Sequence, residues 1–494
     1  MILLKASPIN MRNLTILFLL STGSLFGQTS FMTYFKDQTM RIDFLHSGNA
    51  TSENAILEKV FFYGTWAGNK VNLVDTLNLG KSFYRILDAK SGQVIFSKGY
   101  DSYFKDYQTT DDAIAGKSKS FYESALLPCP KNNIIFILEK RDSLNHFLEV
   151  FRKEITPVEA IRFELNDASI KVFTTLNNGL SENKVDIVFI GDGYTKEEET
   201  KFKNDLARVS KSFFAMEPLK SLRDQFNIRG VFKPSQESGI SEPAAGLMRN
   251  TSVNSAFDAL GSERYVLTED IKSLRDIAAY VPYDAIFIMA NSNRYGGGGL
   301  YNFYCTFTSD NINSDYLMSH EFGHSFFGLA DEYYTSSVAY SNFYPKGYEP
   351  LESNITANTD SSTLKWKHLL ASGIEIPTPW EKDSYDEFEI AWQKERTQLN
   401  EEITRLKKEK ATSTSIQLKK TDYDRKQASH ILLAQEMLNQ NKYSGKVGLY
   451  EGAGYATSGL YRSSVNCIMF TQANHFCPVC RDAIEKMIQW HTGE

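Results

Sequence analysis

Five consecutive residues, His320-Glu321-Phe322-Gly323-His324, constrain this 494-residue chain more than any other stretch. On an α-helix, positions i and i+4 share one face, so the two imidazoles can be presented together. Two imidazoles at this spacing suit one zinc ion, and Glu321 lies on the same rim, where a carboxylate can take a proton from an attacking water. Asn313 and Ser314 suit a helix start, with Asp315 favourably placed in the first turn. Tyr316, Leu317, Phe322, Phe326 and Phe327 supply apolar packing. Gly328 suits a left-handed helix stop.

After that glycine the chain can turn back and bring a third ligand to the metal. Hydrolytic zinc sites use three protein ligands and leave one position open. Asp331 is the expected third ligand and Glu332 its rival; either could instead orient a histidine from behind. A site of His320, His324 and Asp331 with Glu321 as base would hydrolyse peptide bonds.

The length allows two or three domains, each with its own core. A net charge of −6 and a pI of about 5.9 show no nucleic-acid footprint. The N-terminus reads as a signal peptide over residues 1–27, with Met11 an alternative start. Met11-Arg12-Asn13 precedes the apolar run Leu14–Leu20, and small residues lead to a cleavage point before Gln28. The run is too short for a confident membrane span. The mature protein is therefore expected to be exported, to the periplasm, cell surface or medium, with no transmembrane segment. Of five cysteines, Cys477-Pro478-Val479-Cys480 lacks a second pair nearby. A structural disulfide involving Cys467 is expected in place of a four-cysteine zinc site.

Residues 28–155 alternate as strands, for example Met40–Phe44, Lys59–Tyr63, Ser82–Leu87, Asn133–Leu138 and Phe147–Phe151, and read as a β-sandwich without a catalytic cluster. From residue 158 the pattern becomes α/β. Strands are expected at 185–191, 227–232 and 285–289, with helices from Lys196 and near 269–279. Thr195 can cap the first of these helices. Gly296–Gly299 reads as a flexible loop into an edge strand at 300–307, against which an extended peptide could lie. Residues 380–440 read as a charged helical hairpin inserted in the second domain, and a last helix spans about 478–490.

Four segments carry a resemblance: His320 to Tyr333, the Val185–Thr195 strand and turn, Glu451–Arg462, and the Cys467–Cys480 tail. Over residues 158–494 the chain resembles the bacterial IgA-peptidase zinc metallopeptidases, metallopeptidase family sixty-four, and the sandwich resembles the domain preceding that protease. The resemblance implies a multidomain α+β chain: an N-terminal β-sandwich, then a zincin-type metalloprotease domain carrying the helical hairpin. It implies one catalytic zinc on His320, His324 and Asp331, with Glu321 as base. Met469 looks like the Met-turn residue of metzincins. Gly328 and Asp331 each fall one residue later than metzincins usually place them. Thr471 stands where some metzincins have a tyrosine, so Tyr461, Tyr455 and Arg462 become candidates for oxyanion support, Tyr461 foremost. The implied function is an exported zinc endopeptidase acting on host or extracellular (glyco)proteins, immunoglobulin A among the candidates. The alternatives are a non-enzymatic surface-binding protein and a zinc amidase of cell-wall peptides.

Overall fold

The computed structural model describes residues 30–335 and 343–493. The expected signal peptide lies outside the described residues. The chain is a mixed α+β protein whose N-terminal part is built from antiparallel pairs. After a short helix α1 (Phe31–Tyr34) come β1 (Phe35–Gly48), β2 (Glu53–Tyr63), β3 (Ser82–Asp88) and β4 (Val94–Tyr100). Short helices α2 (Tyr103–Tyr107) and α3 (Asp111–Ile114) lead to β5 (Lys119–Pro130), β6 (Ile134–Arg141) and β7 (Phe147–Ile155).

One sheet has the order β5-β1-β2, extended by the two-residue β8 (Ile161–Arg162) running parallel to β2; the other has the order β4-β3-β6-β7. Ile42 pairs with Val60 on one side and Ala125 on the other. Alternate residues point to one face, so β1 sends Ile42 and Phe44 inward. Phe44 meets Phe136 of the other sheet at 5.9 Å between ring centroids.

The second part centres on a six-stranded mixed sheet of order β13-β14-β12-β10-β11-β9. Its strands are β9 (Lys171–Leu176), β10 (Val185–Asp192), β11 (Phe226–Phe232), β12 (Ala285–Ala290), β13 (Gly297–Leu300) and β14 (Tyr304–Thr308). The four inner strands are parallel, and β9 and β13 are antiparallel edges. Every residue of β10 is buried, as a strand covered on both faces requires. Thr195 and Glu198 form a capping box ahead of α4 (Glu199–Ser212).

On one face Phe189 stacks on Phe287 at 4.6 Å, and Phe287 on Phe322 of α6 (Ser314–Ser325) at 4.9 Å. On the other face Val188, Ile190, Ile286 and Ile288 join α5 (Ile271–Ala278). That core continues without a break into the N-terminal sheets.

The glycine run differs from expectation. Gly297–Gly299 is itself the edge strand, and Tyr301–Phe303 turns into β14. The insertion forms two long helices, α7 (Lys382–Lys408) and α8 (Ser413–Gln440), with Thr412 capping α8 through the Ser415 amide. His430 is stacked between Phe388 and Trp392 and bonds Glu389 at 2.8 Å, which clamps the pair. A small sheet, β15 (Ile355–Thr356), β16 (Tyr450–Ala453) and β17 (Ala456–Arg462), and the final α9 (Pro478–Thr492) close the domain. Among the described residues no helix is long and apolar enough to cross a membrane.

Candidate metal-binding active site

Helix α6 carries the pentad. Leu317, Met318 and Phe322 anchor it in the core, and its opposite side meets the glycine edge strand. A Cβ on Gly299 would lie 2.5 Å from the Glu321 carbonyl oxygen and 3.0 Å from His324 Cβ. Gly299 is therefore required by the closeness of helix and strand. Gly323 faces Met469 in the same way, its Cβ position lying 2.7 Å from the sulfur. Gly328 has φ +59°, and the Leu329 amide reaches back to the Gly323 carbonyl at 2.9 Å.

This left-handed stop returns the chain along the helix and delivers Asp331. His320 Nε2 and His324 Nε2 lie 3.2 Å apart, and Asp331 Oδ1 is 3.1 and 3.2 Å from them. His320 Nδ1 donates to the Ile468 carbonyl at 3.0 Å, and His324 Nδ1 to the Leu329 carbonyl at 2.6 Å. With both protons on Nδ1, both Nε2 lone pairs face the carboxylate, and Asp331 Oδ1 has no hydrogen-bond donor.

Three electron pairs converging in a buried site call for positive charge between them, as a bound cation or a proton supplies. Ligands about 2.0–2.1 Å from a tetrahedral zinc stand roughly 3.3 Å apart, close to the spacing seen here. The residues present fit a zinc ion. On the protein's own charges, burial opposes a charge on His324, but Asp331 outweighs it and raises the imidazole to about 9. Burial likewise opposes charge on Asp331, and the two histidines override it and hold the carboxyl well below its usual range. Both shifts express one demand for positive charge at this point.

Glu321 lines the same cleft, and burial pushes its carboxyl above the usual range against the pull of His320 and His324. Glu332 points elsewhere. Its Oε1 accepts from Asn354 at 3.0 Å and lies 3.5 Å from the Cys480 sulfur. Met469 is fully buried against α6, and its carbonyl accepts from the Glu332 amide at 2.8 Å.

The oxyanion candidates divide. Tyr461 lies on β17, paired with Glu451 and Thr356, and is not among the described residues lining the cleft. The alternation of β17 buries Leu460 and Arg462 and leaves Tyr461 between them on the other side. Arg462 is buried away from the cleft, donating to the Glu451 and Gly452 carbonyls. Tyr455 does reach the site and donates its hydroxyl to Asp331 Oδ2. It sits at the β16–β17 turn with φ +65°, and its amide bonds the Tyr333 carbonyl at 3.0 Å.

Sequence reasoning missed several cleft residues. Arg264 donates to the Tyr333 hydroxyl at 3.2 Å and lines the cleft with Tyr295 and Tyr316. Burial opposes its charge, but Tyr333, Tyr295 and Asp331 hold it protonated. No motif surrounds Arg264, so nothing local marked it. The N-terminal part, in which no catalytic cluster is expected from the sequence, contributes Lys81, Asp101 and Asp106 to the same cleft, from just before β3, just after β4 and from α2. Asp106 accepts from Tyr265 at 2.7 Å, which ties the two parts together at the rim. The expected disulfide is absent: all five cysteines are free, with the Cys467 and Cys480 sulfurs 3.7 Å apart.

Two family models match the chain. The one described as IgA Peptidase M64 covers residues 174–488, and the one described as Peptidase M64 N-terminus covers residues 30–152. A search of curated proteins finds no match.

Proposed function

Because the chain belongs to the M64 family of IgA peptidases, and is thus a metallopeptidase, we propose that it is an exported zinc endopeptidase of zincin type. In this reading residues 28–155 are a β-sandwich domain and residues 158–494 the catalytic domain. The observation that carries the reading is the convergence of His320 Nε2, His324 Nε2 and Asp331 Oδ1, beside Glu321, on one open cleft. Zinc held by these three residues supplies Lewis acidity toward water and toward the scissile carbonyl.

The chain's own groups do the rest. Glu321 takes the proton of the attacking water and returns it to the leaving amine. Its buried position, which disfavours the charged carboxylate, suits a group that must both accept and release a proton. The Ile468 and Leu329 carbonyls hold the histidine rings in the ligating tautomer. Arg264, charged in the cleft wall, favours negative charge developing on the substrate oxygen.

The substrate is an extended segment of an extracellular (glyco)protein, immunoglobulin A among the candidates. On the outer side of β13, Gly297 is already engaged, its amide with the Arg264 carbonyl and its carbonyl with the Val266 amide. Gly299, two residues on, faces the same way beside the cleft, and so offers the shorter stretch of edge to a peptide backbone. The test is cleavage of an unbiased peptide library by the wild type and by Glu321→Gln, with and without chelator. Glu321→Gln should keep its zinc and lose at least about 10²–10⁴-fold in rate. Cleavage by that variant at the wild-type rate would refute the assignment, and activity on muropeptides alone would point to an amidase.

A further inference from the structure

A second cluster of metal-binding side chains lies apart from the cleft. Cys467, Cys477, Cys480 and Glu332 are each at most 1% exposed, and one ligand atom from each lies within 4.8 Å of all the others. The Cys467 and Cys480 sulfurs are 3.7 Å apart, and the Cys480 sulfur is 3.5 Å from Glu332 Oε1. A disulfide requires about 2.04 Å between sulfurs, whereas thiolates bound at about 2.3 Å to one tetrahedral zinc stand roughly 3.8 Å apart. A sulfur and a carboxylate oxygen on the same ion would be separated by about 3.5 Å. The spacing is that of a coordination shell.

The surroundings agree. Glu332 Oε2 is buried and has no hydrogen-bond partner. A carboxylate in a fully buried site is costly unless both its oxygens are paired or bound to metal. The sulfurs receive N–H bonds, the Cys477 amide reaching Cys467 at 3.3 Å and the Cys480 amide reaching Cys477 at 3.5 Å. Cys477 is the N-cap of α9, where the helix end favours negative charge. Arg462 is fully buried, with Nε and Nη2 unpartnered, and its charge acts on Glu332. It offsets part of the negative charge that three thiolates and a carboxylate keep after one divalent ion is bound.

We propose that Cys467, Cys477, Cys480 and Glu332 bind a second, structural zinc ion. Each coordinating thiol gives up its proton to solvent, and no redox step is involved. The site fastens two segments that build the cleft. Glu332 follows Asp331 directly, and Cys467 precedes Ile468 and Met469, whose carbonyls hold His320 and the Glu332 amide. The ion would fix the third-ligand segment to the loop beneath α6 without touching substrate.

The test is metal content of the full-length protein by elemental analysis. The wild type should carry about two zinc ions per chain, and the His320→Ala/His324→Ala double variant about one. After cobalt exchange, the double variant should keep the intense thiolate-to-cobalt absorption, and Cys480→Ser should lose it. Should Cys480→Ser fail to fold, titrating the thiols of the double variant with an organomercurial should release its zinc in step with thiol modification. A double variant without zinc overturns the proposal. So does an intact mass lower by two hydrogens, which would show a disulfide instead. Neither result depends on peptidase activity, so failure here is distinguishable from failure of the catalytic assignment.

Discussion

Gly299→Ala tests whether the cleft depends on the close seating of α6 against β13. The added methyl would sit 2.5 Å from a main-chain oxygen of α6 and 3.0 Å from His324 Cβ. Neither neighbour can rotate away, because one is helix backbone and the other the root of a ligand side chain. Relief to ordinary contact requires helix and strand to part by about 0.9 Å. Overpacking of this kind costs about 1–3 kcal/mol. In a chain of this size that corresponds to a fall of roughly 1–3 °C in unfolding midpoint. The catalytic consequence is larger, since a displacement near 1 Å at the reacting geometry costs about 10²-fold. Both histidines travel with α6, so zinc content should stay at the wild-type level while kcat/KM drops. Calorimetry, elemental analysis and cleavage of a fluorogenic peptide measure the three quantities. A Gly299→Ala enzyme with wild-type kcat/KM and an unchanged midpoint would show that the seating is looser than described and that Gly299 is not required by it.

Tyr455→Phe removes the hydroxyl donated to Asp331 Oδ2, and zinc affinity measured by chelator competition should fall by about 10–100-fold. An unchanged affinity would deny Tyr455 that supporting role. In the N-terminal sheets, His46 bonds Glu123 at 3.0 Å and Glu53 at 2.9 Å. Burial works against a charge on His46, but Glu123 and Glu53 outweigh it and raise the imidazole. Its stabilising contribution is therefore complete below the unfolded value of about 6.5 and fades as pH rises through the folded one. The stability gap between wild type and His46→Gln should be widest near pH 5–6, about 3 kcal/mol, and should narrow toward pH 9. A gap that widens with pH would reverse the assignment. Trp392→Ala removes the ring stacked on His430, and should loosen the α7–α8 pair by about 3 kcal/mol. Limited proteolysis within residues 382–440 should then begin at lower temperature than in the wild type.

Much of this site was readable because its parts are local. His320, Glu321 and His324 share one helical turn, and a glycine break four residues on points to a returning segment. The α/β alternation from Val185 to Ala290 and the long helical pair were equally plain, since their periodicities run over many residues. What could not be read depends on the third dimension. Arg264 reaches the cleft from an irregular stretch with no pattern, and Lys81, Asp101 and Asp106 reach it from the N-terminal part of the chain. Tyr461 was favoured over Tyr455 on sequence, yet the left-handed turn at Tyr455 and the alternation of β17 reverse their positions. The glycine run suggested flexibility, whereas Gly297 and Gly299 of β13 are demanded by the helix that lies on it.

The pair Asp331-Glu332 shows why one ambiguity needed the fold. Adjacent side chains of an extended segment point to opposite sides, so only one carboxylate can face the histidines. The sequence favours the first but leaves the second as a rival, because both residues are acidic and both follow Gly328. The decision lies in Cys467, Cys477 and Cys480, at least 135 residues away in the chain. Their cluster takes the longer glutamate side chain, and the Met469 carbonyl takes the Glu332 amide. With Glu332 held there, Asp331 is turned toward His320 and His324. In the proposed zinc site the third ligand would thus be set from behind, by groups outside the cleft.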